Sequence, residues 1–178
     1  MTSKDFVEQL KKSMPEVEKL KELQYSEEEI LQIKSAYLLN ESESDNKYPD
    51  LGELGWLFSK YAMKNLEIGM ITFIQKPVCE KDDTYQIGNV EADELVFSTA
   101  TGSVFVREAG RSHILWQCAD SAENFISALE VMSRHFSQVM VNESLYDDFQ
   151  YLEQVAGTAS GKAGGAAFIS FYKMLLGI

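Results

Sequence analysis

Apolar positions at the N-terminus recur at helical spacing. Phe6, Leu10 and Met14 share one face, Pro15 interrupts it, and Val17, Leu20 and Leu23 resume it, which predicts two short helices divided at Pro15. A third helix starts where YSEEEILQIKSAYLL offers a capping box. Ser26 and Glu29 can each bond the other's backbone, and Tyr25 with Ile30 can form the hydrophobic staple. The run NESESDNKYPD, from Asn40 to Asp50, has no large aliphatic residue and reads as a solvated loop. Beyond it, Asp50 and Glu53 resemble a second capping box ahead of the stripe Leu54, Leu57, Phe58 and Tyr61, with Trp56 off that stripe.

The period then changes from helical to alternating. IGMITFIQ, YQIGNV, ELVFST, SVFVRE and HILWQ are short, β-branched and aromatic, and predict five strands in succession. Their links are too short for crossover helices, so the strands form an antiparallel meander, with Gly102 and Gly110 at turn positions that need positive φ. Helical period returns in ADSAENFISALEVMSRHF, with Asp120 and Glu123 as its cap and Phe125, Leu129, Met132 and Phe136 on one face. Two further helical patterns follow: Leu145, Phe149, Leu152 and Ala156, then Phe168, Phe171, Tyr172 and Leu175. GTASGKAGG reads as a flexible link between them. The expected fold class is α+β: an antiparallel β-meander sheet packed with helices from both the N- and C-terminal segments. We expect one domain over residues 1–178, with a helical part at 1–50, core sheet and helix at 54–136 and a C-terminal helical extension at 143–178.

Composition narrows the function classes. Twenty-eight acids against sixteen bases leave a formal charge of -12, which repels phosphate backbones and anionic headgroups. Neither nucleic acid nor a membrane is an expected partner, whereas a basic protein is. The N-terminus lacks a secretory pattern, and the two cysteines, Cys79 and Cys118, have neither paired spacing nor the density of a stapled scaffold, so a cytoplasmic protein with reduced thiols is expected. The segment from Ala166 to Ile178 is too short to span a bilayer and interrupted by Ser170 and Lys173, which suits a buried helix or one that docks on a second copy to give a homodimer.

Catalytic and cofactor motifs fail on spacing. In GTASGKAGG, three residues rather than four separate Gly157 from Gly161, and Ala163 stands where a P-loop needs a hydroxyl; Ala159 stands where a nucleophile elbow needs serine. His113 and His135 have no second histidine or cysteine at ligand spacing, so no metal and no cofactor is expected. A hydrolase would need Cys118, a histidine and a carboxylate to converge in space. What remains is a concentration of acids, Glu80, Asp82, Asp83, Glu91, Asp93 and Glu94, relieved only by Lys81. Paired strands could gather them on one rim to receive a basic partner.

From Tyr85 to Leu129 the order YQIG, DELVFS, TGSVFV, ILWQCADSAENFISAL resembles the SUKH superfamily of bacterial immunity proteins, Syd and fungal regulators of cell-wall synthesis. Ile87 and Gly88, Asp93, Thr101 with Gly102 and Val104, then Ser121, Phe125 and Leu129 carry the resemblance. Upstream, Leu57, Phe58, Tyr61 and Asn65 are similar to the family's segment before the sheet. The resemblance implies a non-enzymatic protein-binding α+β domain. Its bacterial members neutralise toxin domains, often nucleases or deaminases, and its other members act as regulators or scaffolds with endogenous partners, such as a component of envelope synthesis. On the antidote reading, Asp82, Asp83, Glu91, Asp93 and Glu94 form the partner-binding face, with Trp116 or Trp56 as an aromatic anchor.

Overall fold

The computed structural model describes residues 1–42, 47–80 and 83–178. Helix α1 (Ser3–Ser13) is opened by a capping box between Thr2 and Asp5, ends before Pro15, and buries Phe6 and Leu10. Helix α2 (Val17–Glu22) follows, and α3 (Glu27–Tyr37) begins with the predicted Ser26–Glu29 box. Helix α4 (Gly52–Lys60) buries Leu54, Leu57 and Phe58. Its expected Asp50–Glu53 cap does not form. A 3-10 turn at Pro49–Leu51 leads into the helix, and the Glu53 carboxylate instead accepts the Ser3 backbone N–H and hydroxyl, each at 2.6 Å. Glu53 therefore satisfies an orphan donor of α1, a tertiary use that local spacing does not encode.

Six strands form the antiparallel meander in sequence order. They are β1 (Glu67–Ile68), β2 (Ile71–Cys79), β3 (Thr84–Val90), β4 (Asp93–Ser98), β5 (Val104–Arg107) and β6 (Ile114–Ala119). The expected first strand is split, because Gly69 at φ +58 turns the chain between β1 and β2. Strand β2 continues through Pro77 to Cys79, with a register shift between Phe73 and Val78 that accommodates the missing donor. Gly102 and Gly110 adopt positive φ as their turns require. In the β4–β5 register, Leu95 faces Val106 and Phe97 faces Val104 on the main core side, while Glu94 faces Arg107 and Val96 faces Phe105 on the other.

Helix α5 (Ala122–Val141) buries Phe125, Ile126, Leu129 and Met132 in that core. Its N-cap is Ser121, one residue after the expected Asp120; the Ser121 hydroxyl accepts from Asn124 N at 3.2 Å, and Asp120 holds the Asn124 side chain at 2.7 Å. Helix α6 (Phe149–Ala163) runs through most of the segment expected to be a flexible link. Ala156, Ala159 and Ala163 recur on one buried face, so close packing there offsets the helix cost of Gly157 and Gly161, which lie exposed. The break comes at Gly164 and Gly165, with φ +122 and +129. Phe149, expected on the buried stripe, stands 61% exposed, and Leu152 and Val155 take the inner face. Helix α7 (Ile169–Leu176) turns Phe171, Tyr172 and Leu175 into the chain's own core, and the Tyr172 hydroxyl donates to the Cys118 carbonyl at 2.8 Å, tying α7 to β6. No helix among the described residues is long and apolar enough to cross a membrane.

Candidate protein-binding site

Asp83 immediately precedes β3 and Glu91 immediately follows it. Seven strand residues between them correspond to about 25 Å of extended chain. The structure thus places Asp83 and Glu91 at opposite ends of β3, while Glu80 and Glu94, from the same acidic group, meet at the guanidinium of Arg107. Asp82 lies outside the described residues.

At the far end of β3, Asp93 and Glu94 serve the scaffold. Asp93 Oδ1 accepts the Ala109 N–H at 3.2 Å, and Glu94 Oε1 accepts the Gly110 N–H at 3.3 Å, so both hold the β5–β6 loop. Glu94 Oε2 also takes Arg107 Nε at 2.8 Å and Nη2 at 2.6 Å. The same Nη2 reaches Glu80 Oε2 at 2.6 Å. One guanidinium therefore locks β2's exit, β4 and β5 together, and these side chains retain only 18–26% of their exposure. The two carboxylates favour the charged guanidinium and outweigh its burial, raising the Arg107 pKa. Glu91 stays exposed, in a left-handed conformation with φ +53.

At the near end, Asp50, Cys79, Glu80, Asp83, Tyr85 and Thr99 surround an open cleft of about 330 Å³. Three chain segments build it: the turn ahead of α4, the end of β2 with the hairpin that follows, and the β4–β5 turn. Asp83 is held in place through its backbone, whose carbonyl accepts both the amide and the hydroxyl of Thr99, at 2.8 and 2.9 Å. Its φ of +56 is a conformation that Asp tolerates better than most residues. Its side chain is left exposed beside Asp50. The Tyr85 hydroxyl is held above its ordinary pKa, first by a side-chain hydrogen bond with Cys79 and further by the negative charge of Asp50 and Asp83. Among the described residues, no Lys or Arg lines this cleft. Asp50 is the residue that sequence reasoning missed, since its spacing to Glu53 pointed to a helix cap; its only signal was membership of an acidic chain.

Neither tryptophan extends the cleft. Trp116 pairs with Val106 across β5 and β6 and packs partly buried against the main core, so its ring is engaged internally. Trp56 is 38% exposed and stacks at a tilt on Tyr61, ring centroids 5.9 Å apart.

The residues a hydrolase would need lie in separate environments. Cys118 is fully buried in β6, where burial pushes its thiol well above the ordinary range; His113 is exposed ahead of β6, and His135 sits on α5 against Phe136 and Tyr151. Among the described residues, no group of three or more His, Cys, Asp or Glu is arranged to hold a metal ion. Comparison with protein-family models, curated proteins and solved structures finds no match for the chain.

Proposed function

We propose that this protein is a non-enzymatic protein-binding module of the immunity type, which neutralises a basic toxin domain by direct binding at the cleft between Asp50 and Asp83. The observation that carries this reading is the convergence of Asp50 and Asp83, from distant segments, on one open cleft that no cation lines among the described residues. An overall charge of -12 steers a basic partner toward such a surface. The cleft has room for a lysine or arginine side chain, and its two carboxylates, which form no ion pair among the described residues, are the complement of a guanidinium. A toxin whose substrate is nucleic acid presents clustered cations, and an acidic protein surface can occupy that cluster in place of the substrate.

The test is affinity capture from the native host with wild type and a D50N/D83N variant in parallel, reading bound proteins by mass spectrometry and then assaying the captured domain for toxicity. The reading expects a basic toxin domain that wild type retains and inhibits and the variant releases. Equal capture by both of an endogenous, non-toxic protein would overturn it in favour of a scaffold.

A further inference from the structure

A second cleft, of about 290 Å³, runs between α5 and α6 and shares no residue with the acidic cleft. Its polar lining is Arg134, His135, Gln138, Tyr151, Gln154 and Thr158. His135 is only 4% exposed. The Tyr151 hydroxyl donates to Gln138 Oε1 at 2.8 Å and lies 3.3 Å from His135 Nδ1. Since that hydroxyl has one proton and gives it to Gln138, Nδ1 donates to the tyrosine oxygen and Nε2 carries the lone pair. Nε2 makes no hydrogen bond among the described residues, yet no sealed side-chain nitrogen there lacks a partner, so this atom meets open space in one of the two cavities that the ring lines, this cleft or the neighbouring one beside the end of α7. Burial holds the His135 pKa below its ordinary value, which keeps the lone pair available at neutral pH.

The remaining groups set the ligand chemistry. Thr158 spends its proton on the Gln154 carbonyl at 2.8 Å, leaving its oxygen as an acceptor. The Gln138 amide retains its N–H donors, and the Gln154 side chain has both donor and acceptor capacity. Arg134 faces Glu130 at 3.5 Å, so its charge is answered within α5. Acceptors and donors share the cleft with one cation, Arg134, which is paired with Glu130 outside it, over a floor of Val131 and Val155. A hydroxyl, which both donates and accepts, complements such a site. A carboxylate would oppose the lone pairs of His135 and Thr158. The volume sits at the small end of ligand pockets, roughly 300–1,000 Å³. We propose that the α5–α6 cleft binds a neutral polyhydroxylated molecule of monosaccharide size, held by His135, Gln138, Gln154 and Thr158.

The test is a titration of the full chain with glucose, galactose, mannose, N-acetylglucosamine and ribose, with acetate as the anionic control. Readout is the ¹H–¹⁵N long-range NMR spectrum of the His135 ring, in wild type and in Gln154→Ala, whose exposed side chain keeps it from disturbing the fold. At least one sugar should shift the Nε2 resonance saturably at millimolar concentration, with affinity about tenfold weaker in the variant, and acetate should leave it unmoved. No saturable shift with any sugar, equal affinity in Gln154→Ala, or an equal response to acetate would overturn the proposal. None of these outcomes touches Asp50 or Asp83, so the acidic-cleft reading stands or falls separately.

Discussion

The two ends of β3 carry the same residue type and use it differently. At one end, Asp93 and Glu94 are consumed by the fold: they hold the backbone of the β5–β6 loop, and Glu94 shares Arg107 with Glu80. At the other, Asp50 and Asp83 face an open cleft, and Asp83 is fixed through its backbone rather than its carboxylate. An acid whose oxygens already accept backbone N–H groups and a guanidinium has little left to offer a partner. An acid positioned by its main chain keeps its charge for one. The contrast makes binding a property of the Asp50–Asp83 end and stability a property of the Asp93–Glu94 end, which substitutions can separate.

The largest effect is expected at the hinge between the two regions. Arg107→Met leaves Glu80 and Glu94 unpaired and mostly buried, and should lower the unfolding free energy by about 2–4 kcal/mol in urea titrations. Glu94→Ala keeps Arg107 paired with Glu80 while freeing the Gly110 N–H, so a loss of about 1–2 kcal/mol is expected in the same assay. A pH effect sharpens the comparison by belonging to neither end. Burial lowers the folded-state pKa of His135, so below the unfolded value of 6.5 the unfolded chain binds the extra proton first. Stability present above pH 6.5 should therefore fall as pH drops through that value toward the lower folded pKa, and His135→Gln should flatten this slope in thermal melts across pH 7.5 to 5 (roughly the window of histidine titration). The smallest effect is expected from D50N/D83N, whose unfolding midpoint should stay within about 0.5 kcal/mol of wild type. A large loss there would mean that the cleft acids, too, are structural.

Legibility in the sequence followed the range of the interactions. Period and turn chemistry revealed the meander, the Ser26–Glu29 box and the glycine turns, because those signals act within a few residues. Glu53 was misjudged as a local cap since its partner, Ser3, is fifty residues away. The glycines in α6 pointed to a link, whereas the fold uses the alanines between them for close packing. The candidate site was half legible. Acid density drew attention to the hairpin that borders the cleft, but which of its acids the fold consumes depends on Arg107 and on the loop that Asp93 and Glu94 hold. Asp50 joins the cleft only through tertiary placement of the turn ahead of α4.

Partner binding belongs to the acids of the Asp50–Asp83 cleft and not to those at the other end of β3. The direct measurement is the dissociation constant of the captured partner for wild type, D50N/D83N and Glu91→Gln, at low and high salt. D50N/D83N should lose at least about tenfold in affinity together with much of the salt dependence, while Glu91→Gln matches wild type. Loss in Glu91→Gln with D50N/D83N unchanged would place the contact at the other end of β3 instead.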